Sequence, residues 1–149
     1  MGAGRRRFES CHPDHIRGIM ITWLKGKIIR ATLRANPDKI FLFGDNLAGE
    51  GRGGQAREMR GEPNAVGIPT KKRPKMFIGS FFNDAEYEEN CAAMDAAFAK
   101  IPAGAHVIVP AAGLGTGLAQ LPERAPKTFE YLKKKLEEIA DGDNGFRRI

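Results

Sequence analysis

The chain has 149 residues, 42% hydrophobic and 28% charged, the balance of one globular domain with a real core, which excludes a low-complexity tail. Two cysteines, Cys11 and Cys91, cannot build a disulfide framework, no Cys/His cluster suggests zinc, and no apolar run reaches membrane-span length, so the expectation is a cytoplasmic monomer without metal, cofactor or membrane contact. Part of the net charge of +6 comes from Arg5, Arg6, Arg7 and Arg17, which outweigh Glu9 and Asp14, so the remainder is only mildly basic and nucleic acid is not implied.

In chain order, "RFESCHPDH" (Arg6 to His15) has no apolar periodicity. It resembles the translation of the 3′ end of a transfer-RNA gene, which makes residues 1–19 an extension and Met20 the expected initiator of a single domain over 20–149. The alternative is a basic arm for nucleic acid. "KGKIIRATL" (Lys25 to Leu33) reads as a strand or a short helix, and Trp23 just before it as a packing residue. "KIFLF" (Lys39 to Phe43) reads as a buried strand ending at Gly44-Asp45. "GGQAREMR" looks helical, and "NAVGI" and "KMFIG" are strand candidates separated by a loop holding Pro69 and Pro74. Within that loop "KKRPK", Lys71 to Lys75, reads as a solvated basic run that phosphates could also meet.

Asn83 and Glu86 have capping-box spacing, and Tyr87, Cys91, Met94 and Phe98 then fall on one helical face, placing Cys91 in the core. "AHVIV" (Ala105 to Val109) is a second buried strand in which His106 reads as structural. The last helix carries Phe129, Leu132, Leu136 and Ile139 at helical spacing. Strands alternating with helices specify the α/β class.

Two glycine-rich stretches interrupt this pattern. "FGDNLAGEGRGGQA" (Phe43 to Ala56) places five glycines after the first buried strand, and "PAAGLGTGLAQLP" (Pro110 to Pro122) follows the second. Glycine loses the most conformational freedom on folding, so such runs want a reason: positive φ, or a ligand pressed against bare peptide. In open α/β sheets ligands bind beyond the carboxyl ends of strands, and successive amides in glycine turns, with a helix N-terminus behind them, suit phosphate oxygens. Two such loops facing one cavity would grip a diphosphate from both sides. Neither fits the dinucleotide fingerprint or the P-loop pattern. No Ser/His/Asp or Cys/His set supports nucleophilic catalysis.

"IFLFGDNLAGEGRGGQAREM" and "VIVPAAGLGTGLAQLPERAPKTFEYL" together resemble the two ligand loops of macrodomains, in a divergent bacterial or phage form, over Lys39 to Ile139. The resemblance implies a three-layer fold with a mixed sheet flanked by helices, and binding of ADP-ribose or a related nucleotide diphosphate. By it Asn46 approaches the distal ribose, Gly53 and Gly54 let ribose and diphosphate sit close, and Gly115, Thr116 and Gly117 hold the diphosphate. Gly44, Gln55, Pro110, Gly113 and Leu118 complete the expected binding set; Leu118 stands where relatives carry an aromatic. Asp38 and Asp45 compete for the adenine contact. If ADP-ribose is hydrolysed from a target, Asn46 and Asp45 would orient water and Glu50 would assist. Asn46 in "GDN" equally fits turn chemistry. Two alternatives stay open: a binder of a nucleotide signal without turnover, and an enzyme like the phosphoribohydrolases, to whose PGG-x-GT-x-x-E signature "PAAGLGTGLAQ" is only loosely similar, with Gln120 where an acid is wanted.

Overall fold

A computed structural model describes residues 18–143, with side chains placed through residue 139. Cys11, His12, His15 and the Arg5 to Arg7 run lie outside the described residues. Four strands, β1 (Met20–Leu24), β2 (Lys39–Asn46), β3 (Ala65–Lys71) and β4 (His106–Pro110), form one sheet in the order β1-β4-β2-β3. Among them run five α-helices: α1 (Arg30–Ala35), α2 (Ala56–Met59), α3 (Tyr87–Phe98), α4 (Leu121–Arg124) and α5 (Pro126–Asp143). The class is α/β.

Among the described residues every strand pair is parallel, which corrects the expected mixed sheet, and only an isolated bridge from Lys71 to Phe81 runs antiparallel. Helical crossovers between strands impose this, since a parallel pair cannot be joined by a tight hairpin. Successive strand residues point to opposite faces, and each face has its own core. Phe41, Phe43 and Ile108 pack with Ile28, Leu33, Ala56 and Met59, which brings α1 and α2 onto one side. Leu42, Val107 and Val109 pack with Met94, Phe98, Leu132 and Leu136, which brings α3 and α5 onto the other.

Several expectations change. Met20–Leu24 is an edge strand, and Trp23 on it is 46% exposed rather than packed. Of "KGKIIRATL" only the end is helical: α1 begins at Arg30, and Lys25 to Ile29 are neither helix nor strand. "KMFIG" is not a strand but a loop closing in a single 3-10 turn, Ile78–Ser80. Pro69 lies inside β3 rather than in a loop, which an edge strand tolerates because one row of its backbone groups has no neighbour. Ile19, the residue before the expected initiator, is fully buried in the cluster with Val107 and Phe98.

The Asn83 cap is partial: its side chain accepts from the Ala85 amide at 2.9 Å, while Glu86 meets the Asn83 side-chain amide at 3.3 Å instead of its backbone. Cys91 is buried, as the helical face of α3 requires. His106 bonds Thr22 Oγ1 through Nε2 at 2.7 Å, at the opposite end of β4 from the glycine loop.

Candidate functional site: a cleft at the carboxyl ends of the strands

The helix after β2 packs on one face of the sheet and the helices after β4 on the other, so the two chains diverge where these neighbouring strands end. Such a divergence opens a crevice at the carboxyl edge. Here it is a cleft of about 570 Å³, within the range of small-molecule sites. Gly44, Asp45 and Asn46 at the end of β2 and Pro110 at the end of β4 lie at its base, the segment Glu50–Gln55 forms one wall and the segment around Gly113–Leu118 the other. The sequence-predicted residues therefore come together around one cavity.

The two loops also touch. A Cβ at Gly53 would stand 2.7 Å from Leu118 Cδ1, so the absence of a side chain there is what lets the second loop lean over the first. Gly115 combines φ +78° with a packed surround, where a Cβ would meet Leu121 and Thr70 at 3.1 Å. Only glycine serves at that point. Among the described residues, no acceptor takes up the amides of Gly53, Gly54, Gly115, Thr116 and Gly117. Those amides are the donors such a site can offer an anion. The helices that follow contribute little, because α2 and α4 are four residues each, too short for an appreciable dipole.

Side chains in the first loop are largely engaged with their own scaffold. Asn46, 8% exposed, donates from Nδ2 to the Glu50 carbonyl at 2.7 Å and accepts from the Glu50 amide at 3.4 Å, so both ends of its amide brace the turn. Asp45 accepts from Arg60 Nη2 at 2.6 Å and from the Asn46 amide at 2.7 Å. Arg60 also reaches the carbonyls of Gly51 at 2.8 Å and Glu50 at 3.0 Å, and lies over the Phe43 ring. It is the strut of this wall. Gln55 is bonded twice to the Ile28 backbone, at 2.8 and 3.2 Å, and ties α2 to the segment before α1. Thr116 Oγ1 donates to the Ala112 carbonyl at 3.1 Å and stiffens the second loop. Asp38 lies outside the cleft and approaches Lys39 at 3.5 Å, which leaves Asp45 as the cleft aspartate. Glu50 lines the cleft and forms no ion pair among the described residues.

The third side of the cleft was not legible as such in the sequence. The register between β2 and β3 jumps from Asp45↔Pro69 to Asn46↔Lys71, making Thr70 the extra residue of a bulge. Bulges re-aim the side chains that follow them. Lys71, expected in a solvated run, is 7% exposed and lines the cleft with Pro74 and Met76. Burial lowers its pKa, and the Arg124 charge lowers it further. Lys72, the next residue, pairs instead with Glu86 at 2.6 Å.

The fold and cleft define an α/β protein with a ligand-sized crevice at its strand ends. Residues 23–135 match a family of unknown function (DUF7831), more than half of the chain, and the chain belongs to that family. No curated protein and no solved structure matches it. No helix among the described residues is long and apolar enough to cross a membrane.

Proposed function

We propose that the cleft binds ADP-ribose or a related nucleotide diphosphate. One observation carries this reading: two glycine loops from adjacent parallel strands line a common cavity, and the amides of Gly53, Gly54, Gly115, Thr116 and Gly117 have no acceptor among the described residues. The resemblance of both loops to those of macrodomains supports the nucleotide, and the cavity volume accommodates a ligand of that size. Binding is better supported than turnover. Asn46 and Asp45 are hydrogen-bonded to the loop and to Arg60, so neither is poised over the cavity as a base.

A thermal-shift panel of ADP-ribose, NAD, AMP, ADP and an inositol phosphate tests the reading. A ligand at about a hundred times its Kd adds roughly 2.7 kcal/mol, which raises the midpoint by several degrees. No shift with any nucleotide would sink it. Hydrolysis remains the second reading because Glu50 keeps a carboxylate at the cleft without an ion-pair partner among the described residues. Release of ADP-ribose from a modified protein or oligonucleotide, slowed at least tenfold by Glu50→Gln, about 1.4 kcal/mol of barrier, is the expected mark of an enzyme. Binding without release on several linkages assigns the protein to the non-catalytic class.

A further inference from the structure

Lys71 is a buried ammonium in a cleft wall, and among the described residues no carboxylate pairs with it. Its Nζ donates to the Lys75 carbonyl at 2.7 Å, touches Met76 Sδ at 3.6 Å and lies 4.7 Å from the Phe81 ring centroid. Arg124, from α4, covers the same ring at 3.8 Å. The anionic groups nearby have other partners or stay exposed: Asp45 pairs with Arg60, Glu86 with Lys72, and Glu50 is solvent-facing. The other cations at the cleft are Arg52 and Arg60. Holding a charge out of water beside a second cation is unfavourable unless an anion joins them. A lysine kept there solely for packing is better replaced by an apolar side chain of the same length.

We infer that Lys71 is the ligand's charge partner: its ammonium, aimed into the cleft by the Thr70 bulge, takes an anionic phosphoryl oxygen of the bound molecule while the glycine amides hold the others. The inference rests on reading the cleft as a nucleotide diphosphate site, and it adds the requirement that the ligand be an anion. It also carries a linkage. The free protein holds Lys71 with a lowered pKa, and an adjacent phosphate raises it. At pH below the free-state pKa both forms are protonated and pH has no effect. Between the free-state and the bound-state pKa, binding takes up a proton and affinity falls as pH rises; above both it takes up none. Among the described residues the other cations facing Lys71 and the cleft are Arg52, Arg60 and Arg124, a residue type that is not deprotonated in proteins and so supplies no such linkage.

Isothermal titration of wild type and Lys71→Met, which keeps an unbranched apolar stem, with ADP-ribose and with inorganic pyrophosphate tests this. Unchanged far-UV circular dichroism controls for folding. The expected result is a Kd weakened about tenfold or more for both ligands in Lys71→Met. For wild type alone, titrations at alkaline pH in buffers of different ionisation enthalpy should show proton uptake with ADP-ribose, whose diphosphate diester has no proton to exchange there. Equal affinities in the two proteins, or no proton uptake by wild type, overturn the inference. Lys71-dependent binding of pyrophosphate without any nucleotide binding upholds the inference and removes the nucleotide reading. ADP-ribose binding indifferent to Lys71 does the reverse, and a wild type that binds neither ligand overturns both.

Discussion

At the scale of single residues, the glycines of the cleft differ in what a side chain would do. Gly54 has φ +58°, so any larger residue strains the backbone whether or not a ligand is near. Gly117 has no such constraint, and a Cβ there would meet nothing within 4 Å. Valine at Gly117 therefore projects into open space that the cleft provides, at little expense to the fold. Gly117→Val is expected to abolish the nucleotide thermal shift while moving the apo midpoint by no more than a few degrees. A retained shift would mean that nothing approaches this backbone closely. Asn46 illustrates the limit of motif reading at this scale: "GDN" announces both a turn and a ribose contact, and the structure shows the turn role directly through the two bonds to Glu50.

At the scale of elements, the long helix α5 depends on a distant carboxylate. Asp84 accepts from the Lys127 amide at 2.9 Å and from the Thr128 amide and hydroxyl at 3.0 Å, which satisfies donors left open in the first turn. Burial pushes the Asp84 pKa up, but these bonds and the Lys127 charge outweigh it and hold the carboxyl below its ordinary range. A depressed carboxyl stabilises the fold above its unfolded pKa and loses that contribution as pH falls through the folded one. Asp84→Asn should cost about 1 kcal/mol at pH 7, roughly 3 °C in Tm, and the gap to wild type should close below about pH 4. A gap independent of pH would show that the charge is irrelevant to the cap.

Asp84 also shows why elements were legible and their joints were not. The face of α3 through Cys91, Met94 and Phe98 and the strands "KIFLF" and "AHVIV" follow from periodicity and apolar runs, which are local properties. The Asp84 cap joins residues more than forty apart, the Thr70 bulge exists only against β2, and the burial of Lys71 follows from both bulge and packing. A basic run carries no sign of which lysine turns inward. The glycine loops were legible as loops for the opposite reason: their composition is costly anywhere, so it marks a constraint before the partner is known.

At the scale of the molecule, β2 carries both cores on one strand. Phe41 faces the cluster with Leu33 and Met59, and Leu42 faces the cluster with Met94 and Leu132, each with almost no exposure. Neither helical layer can detach without stripping one face of the strand whose end forms the base of the cleft. Unfolding is therefore expected as one transition, in which fluorescence of the single tryptophan, Trp23 on edge strand β1, coincides with loss of far-UV circular dichroism. Phe41→Ala and Leu42→Ala each remove a buried side chain from a different layer, and each should destabilise by about 2–5 kcal/mol. Because the layers share β2, each substitution should lower the one midpoint followed by both signals. If Phe41→Ala instead produced an early transition seen by only one signal, the α1 and α2 layer would be a separate unit, and the wall built on Arg60 could open without the sheet. A single transition would instead make opening of the cleft a global event, so that core substitutions on either face lower the midpoint and leave the affinity of the folded protein unchanged until an appreciable fraction is unfolded.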